Sequence, residues 1–94
     1  MSDKKIEKEK KRKIATALKY NQMEETAPKV IAKGKGIVAE NILEQAEEHD
    51  IPVYEDEKLS RQLYNLEIGQ EIPPELYHVI AEVLVFIANL DREK

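Results

Sequence analysis

The sequence contains no cysteine and no tryptophan, and it has only three glycines and two histidines among 94 residues. Without cysteine the chain forms no disulfide, no thiolate metal site and no thiol nucleophile. His49 and His78 lie 29 positions apart, so no local histidine metal motif is present. Ser2 and Ser60 are the two serines, and neither lies in a nucleophile elbow. We therefore predict no catalytic residue, no metal and no cofactor, and expect a protein that is not an enzyme.

Long apolar runs are also lacking. The longest, from Val79 to Leu90, is interrupted by Glu82 and Asn89 and is too short to span a bilayer. No apolar segment of the secretory type follows the basic N-terminus. We therefore expect a cytoplasmic protein with no transmembrane segment.

Charge divides the chain into two parts. Residues 1–13 carry seven Lys/Arg and three acids, a net charge of +4, whereas the other 81 residues carry a net charge of −8. We predict a basic arm over residues 1–13, disordered or helical, and one domain over residues 14–94. The arm is either a solvated tail or a contact for nucleic acid or another anionic partner, and the acidic body makes nucleic acid the less favoured partner.

Two strands and a helix are predicted in the first half of the domain. Residues 14–20 and 28–32 are β-branched, apolar runs separated by a polar loop, which predicts a hairpin. From Ile37 to His49 the apolar residues recur with helical spacing. Ile51–Tyr54 is a short apolar run that predicts a third strand, parallel to the second through a βαβ crossover.

Two further helices complete the predicted domain. Asp56 is a candidate N-cap for a short helix through Leu66 that buries Leu59 and Leu63. The last helix begins near Pro74 and carries a broad apolar face. The predicted fold is a small α/β domain with a mixed sheet of about three strands and about three helices.

Two motifs allow a chemical and a structural interpretation. Residues 33–36, Lys-Gly-Lys-Gly, precede a helix and could cradle phosphate, but they lack the spacing of a P-loop or dinucleotide motif, so a turn that uses glycine is favoured. His78 and Glu82 are four positions apart on the polar face of the last helix, where an exposed pair is the simpler interpretation.

Several segments together closely resemble the cytoplasmic C-terminal domain of the FlhB/YscU family of export-switch proteins of flagellar and type III secretion. They are ALKY (17–20), APKVIAKGKG (27–36), EHDIPVYE (48–55), LSRQLY (59–64), EIGQEIP (67–73), LY (76–77) and AEVL (81–84). The resemblance covers residues 14 to 90. It implies the fold of that domain.

Two departures from the family pattern bear on function. Family members have transmembrane helices before this domain, and this sequence has none. The family's self-cleaving Asn-Pro-Thr-His motif would fall at residues 10–13, which read Lys-Lys-Arg-Lys. The resemblance therefore implies a standalone homologue that does not cleave itself, with three strands where the family has four. The exposed sheet edge is then either protected by the arm or a docking edge.

The resemblance implies a protein-binding module that docks export substrates or components of the export gate, with no small-molecule chemistry and a possible peripheral association with the gate. It places a protein-binding patch at Ala27, Pro28, Ala81 and Leu84. Core packing is the alternative for Ala81 and Leu84, and a turn at the start of a strand is the alternative for Ala27 and Pro28. The alternative function is a repurposed regulatory domain that binds nucleic acid or another anionic partner through the arm.

Overall fold

A computed structural model describes residues 13–21, 23–24 and 26–92, the last two of them through their backbone alone. Within this part of the chain lie two strands and three α-helices. They are β1 (Ile14–Lys19), β2 (Lys29–Lys35), α1 (Ile37–Glu48), α2 (Glu57–Tyr64) and α3 (Tyr77–Arg92), with a 3-10 turn at Pro74–Leu76 before α3. The residues of the predicted basic arm other than Lys13 lie outside the described part.

The two strands pair antiparallel, as the hairpin prediction requires. Ile14 lies opposite Lys35 and Ala17 opposite Ala32, but Leu18 lies opposite Val30 because the register shifts between Ala17 and Leu18. Ile31 is therefore an extra residue in β2, a β-bulge that increases the local twist.

One helix covers each face of this sheet. On one face, Val38 of α1 lies so close to Gly34 that a Cβ on this glycine would overlap the valine Cγ1. On the other face, the ring of Tyr64 at the end of α2 lies beneath the ammonium groups of Lys33 and Lys35. Because successive side chains of a strand point to opposite faces, α1 and α2 sandwich the sheet between them.

The starts of α1 and α2 follow the sequence prediction, although α2 ends at Tyr64 and not at the predicted Leu66. Gly36 begins α1 with φ 57° and ψ −122°, a conformation open to glycine, so the turn interpretation is confirmed at Gly36. It is wrong for residues 33–35, which continue β2 beyond its predicted end at Ala32. Asp50 has φ 56° and ends the α1 segment. Asp56 accepts a 3.0 Å hydrogen bond from the Leu59 N–H at the start of α2, which confirms the predicted N-cap.

The predicted third strand is wrong. Residues 51–54 form no strand, and Ile51 is 57% exposed. Pro52 has no N–H to donate to a sheet, which disfavours this segment as a strand. The outer side of β2 is bonded instead by residues 69–72: Gly69 N–H donates to Val30 O at 2.7 Å and Val30 N–H to Gln70 O at 2.9 Å. The described sheet therefore has two strands and no βαβ crossover.

The main core lies between α2, α3 and the start of β2. Its buried members are apolar throughout: Ala27, Leu59, Leu63, Ile72, Leu76 and Ile80. The burial of Leu59 and Leu63 confirms the prediction for α2. Among the described residues, no helix combines the length and the hydropathy needed to cross a bilayer.

Candidate functional site

Ala27 and Pro28 form the floor of a shallow apolar groove. They end the connection between β1 and β2, and both are buried, Ala27 with 1% of its surface exposed. On the side of β2 that faces away from β1, the Pro28 carbonyl oxygen accepts a 2.9 Å hydrogen bond from the Ile72 N–H. The floor is therefore fixed by the same 69–72 segment that bonds the outer side of β2.

One wall of the groove is a stripe on α3. Tyr77, Ala81 and Leu84 lie four and then three positions apart, so they follow one line along the helix. Tyr77 is 46% exposed and Leu84 38% exposed, and Ala81 is exposed between them. The small methyl group of Ala81 between two larger side chains leaves a notch in this wall.

The four residues predicted for a protein-binding patch therefore lie together. Ala27, Pro28, Ala81 and Leu84 all line the same groove, which has a volume of about 140 Å³. Ala81 and Leu84 are solvent-accessible rather than buried core residues. Whether a protein binds there stays a prediction.

Sequence reasoning missed two residues that form the rim of the groove. Tyr20 follows β1 and is 37% exposed, and Tyr77 is 46% exposed at the start of α3. The spacing of Tyr77, Ala81 and Leu84 is a signal in the sequence, because it marks a second stripe beside the buried one of Leu76 and Ile80. Tyr20 carries no such signal, since only the hairpin brings it to α3.

The groove is suited to an apolar side chain with a polar rim. Its lining is mostly apolar and also includes one threonine and two tyrosines: Tyr20, Thr26, Ala27, Pro28, Ile72, Tyr77, Ile80, Ala81 and Leu84. Tyrosine combines a large apolar ring with a hydrogen-bonding hydroxyl, which suits it to interfaces.

The polar motifs lie elsewhere in the fold. His78 Nε2 and Glu82 Oε2 are 3.5 Å apart on the exposed side of α3, which confirms an exposed pair. Within the described residues, no group of three or more His, Asp or Glu side chains could hold a metal ion. Arg61 and Glu57 form a second exposed pair on α2 at 3.3 Å.

Lys33 belongs to residues 33–36, the candidate phosphate cradle, and its side chain has a structural role. Its ammonium group donates to the main-chain oxygens of Tyr64 and Leu66, at the C-terminal end of α2. A cation at that end is favoured by the helix dipole and by the unpaired carbonyl groups. This geometry favours the structural interpretation of residues 33–36 over an anion site.

Comparison with known proteins shows to which family the chain belongs. The model of the FlhB HrpN YscU SpaS family matches residues 12–87. The chain belongs to this family. FlhB of Aquifex aeolicus, a flagellar biosynthetic protein, is 47% identical over 75 residues, which are 79% of this chain and 21% of that protein. The family resemblance predicted from the sequence is confirmed.

Two further relatives match the family domain over most of their own length. The protein YlqH of Bacillus subtilis is 42% identical over 78 residues, covering 83% of this chain and 84% of that protein. The crystal structure of a mutated EscU/SpaS C-terminal domain has a TM-score of 0.77 and 36% identity, covering 81% of this chain and 95% of that domain. The α/β fold of this domain is thereby confirmed, with two strands instead of three.

The chain spans about a fifth of the length of the FlhB relatives that it matches, 21% in each of the first two. The prediction that it does not cleave itself concerns residues 10–13, of which 10–12 lie outside the described residues. That prediction rests on the sequence Lys-Lys-Arg-Lys at these positions.

Proposed function

We propose that this chain is a protein-binding module of flagellar or type III protein export, and that its groove receives an apolar segment of an export substrate or of an export-gate component. The observation that carries the proposal is the convergence of Ala27, Pro28, Ala81 and Leu84 on one accessible groove. Membership of a family that contains flagellar biosynthetic proteins supports the export setting.

The module acts in the cytoplasm by binding and not by catalysis. Apolar contact in a notched groove can select a segment by the size and shape of one side chain, and the tyrosine rim can bond its main chain. With Lys-Lys-Arg-Lys at residues 10–13, neither the asparagine nor the proline that self-cleavage requires is present, so the module stays intact.

Capture of purified export substrates and of the soluble domain of the export gate tests this proposal. Pro28 is buried, so a charge there would disturb the fold, and the exposed Ala81 is the better position. We expect Ala81→Glu to abolish capture, because it places a charge in the notch. Ala88→Glu is the matched control, since Ala88 is an exposed alanine of the same helix outside the groove.

Salt separates the proposal from the alternative function. Apolar docking in the groove should survive 0.5 M salt, whereas nucleic-acid binding through the seven Lys/Arg of residues 1–13 should weaken steeply. Equal capture by both alanine variants, or retention of nucleic acid without capture of any export protein, would contradict the proposal.

A further inference from the structure

The 69–72 segment connects the outer side of β2 to the groove. Three main-chain hydrogen bonds hold it: Gly69 N–H to Val30 O at 2.7 Å, Val30 N–H to Gln70 O at 2.9 Å, and Ile72 N–H to Pro28 O at 2.9 Å. The Ile72 side chain is 2% exposed and lines the groove together with Pro28. The segment is thus bonded to β2 and is also part of the groove.

Little apolar burial keeps this segment in place. Residues 67–71 are all exposed, and the buried side chain of the segment is that of Ile72. Residues 67–70 form a turn that is closed on itself, because Glu67 N–H donates to Gln70 Oε1 at 2.9 Å and Gln70 N–H donates to Glu67 O at 3.0 Å. A segment with few buried contacts and exposed main-chain hydrogen bonds opens locally, without unfolding of the whole domain.

The backbone of Gly69 controls this opening. Gly69 has φ 94°, a conformation that L-amino acids rarely adopt. A Cβ built on it would lie more than 4 Å from every described atom outside its two chain neighbours. A side chain at this position therefore changes the backbone preference and adds no overlap within the described structure.

Opening of the segment would dismantle one side of the groove. The bond from Ile72 N–H to Pro28 O joins the main chains of two residues whose side chains line it. When this bond breaks, Ile72 separates from Pro28 and the lining that they share loses its form. A site that exists in one of two states binds with an apparent affinity reduced by the fraction of that state.

We infer that the 69–72 segment is a clamp that regulates the groove: the groove binds while the clamp is closed on β2 and loses its affinity when the clamp opens. The role of the clamp rests on the proposed function of the groove. Gly69 is a positioning residue, since it acts on the groove through Ile72 and Pro28. Because coupling between two equilibria is reciprocal, an occupied groove must also hold the clamp closed.

Amide hydrogen exchange in the full chain tests the clamp by itself. Relative to unfolded rates, we expect the amides of Val30, Gly69 and Ile72 to exchange at least about tenfold faster than that of Leu63 in α2, which opens with the domain. Gly69→Ala should speed the exchange of Val30 and Ile72 about five- to thirtyfold, the range for an L-residue held in a left-handed conformation. D-alanine in place of Gly69, introduced by chemical synthesis, favours positive φ and should not speed it. Equal protection of all four amides, or equal effects of L- and D-alanine, would overturn the inference.

The second test measures affinity for the purified export proteins of the capture experiment. Gly69→Pro removes the N–H that bonds Val30 and fixes φ near about −65°, so it should lower the affinity at least about tenfold. Gly69→Ala should lower the affinity by the loss of closed fraction that exchange reports, and D-alanine should keep it. Asp56→Ala is the matched control, because it destabilises the fold at the start of α2 and should leave the affinity unchanged. Circular dichroism verifies that each variant keeps its helices.

The third test reverses the direction of the coupling. At ten times the dissociation constant, an export protein bound to the wild-type chain should slow the exchange of Val30 and Gly69 about tenfold. Among the described residues these two do not line the groove, so direct cover by the bound protein does not explain the change. Binding without slower exchange at both positions would overturn the inference alone. If the wild type captures no export protein, the proposed function fails and the regulatory role fails with it.

Discussion

The ammonium group of Lys33 lies 2.7 Å from the main-chain oxygen of Leu66 and 3.1 Å from that of Tyr64, and it joins β2 to the C-terminal end of α2. The carbonyl groups at the end of a helix have no partner within the helix. Lys33 supplies one from a strand 31 positions earlier in the chain. A single side chain thus fixes the end of α2 against one face of the sheet.

Replacing Lys33 should therefore destabilise the fold. We expect Lys33→Met to lower the free energy of unfolding by about 1–3 kcal/mol, because it removes two hydrogen bonds from a charged donor and leaves the main-chain oxygens of Tyr64 and Leu66 without that donor. Lys35→Met is the matched control: Lys35 lies 4.8 Å from the centre of the Tyr64 ring, and its loss should cost less than about 1 kcal/mol. Urea unfolding measures both, and equal losses would contradict the capping role.

Gly34 is required by the close approach of α1 to β2. A Cβ at this position would lie 2.7 Å from the Cβ of Val38, so we expect Gly34→Ala to cost about 1–3 kcal/mol of stability. The double variant Gly34→Ala, Val38→Ala should lose less than the sum of the two single variants, because the smaller side chain relieves the overlap. A thermodynamic cycle from urea unfolding tests this, and strict additivity would show that the two residues do not meet.

The N-cap of α2 gives a third prediction. Asp56→Ala should lower the free energy of unfolding by about 1 kcal/mol, because the Leu59 N–H loses its acceptor. Asp56→Asn keeps a capping oxygen and should cost only a few tenths of a kcal/mol. Glu55→Ala, next to the cap and exposed, serves as the control for charge removal. Thermal unfolding of the three variants gives the order; a loss in Asp56→Asn equal to that in Asp56→Ala would point to charge and not to capping.

Tyr54 and Phe86 provide a fourth test, at the segment that was predicted to be a strand. Their rings meet edge to face, with centres 5.3 Å apart and planes at 74°. We expect Phe86→Ala to cost about 0.5–1.5 kcal/mol and to speed the amide exchange of residues 51–54, because this contact holds the segment against α3. Val85→Ala, at the neighbouring exposed position, should change stability by no more than about 0.5 kcal/mol. Unchanged exchange in Phe86→Ala would mean that other contacts hold the segment.

Much of the fold follows from local patterns. The pairing of β1 with β2, the bounds of α1 and α2 to within a few residues, the Asp56 cap and the buried leucines of α2 all follow from turn chemistry and from periodicities of two and 3.6. Each of these features depends on residues close together in the chain. The family also followed from the sequence, because its segments occur in order along one stretch.

The features that the sequence did not predict depend on contacts between segments far apart in the chain. Residues 51–54 are a short apolar run, whereas residues 69–72 read Gly-Gln-Glu-Ile, so the local pattern favours the wrong segment for the outer side of β2. Pro52 removes a donor from the first, whereas the N–H groups of Gly69 and Ile72 in the second both bond residues 28–30. The third strand was assigned to the wrong segment for this reason.

The sequence by itself determined the helices, the hairpin and the family, and the resemblance to that family predicted the four residues of the patch. Only the tertiary structure decided that those residues share one groove, that Tyr20 and Tyr77 form its rim, and that Lys33 bonds the end of α2. These are contacts between side chains and main-chain groups far apart in the chain, and their energies depend on which surfaces meet when the domain packs.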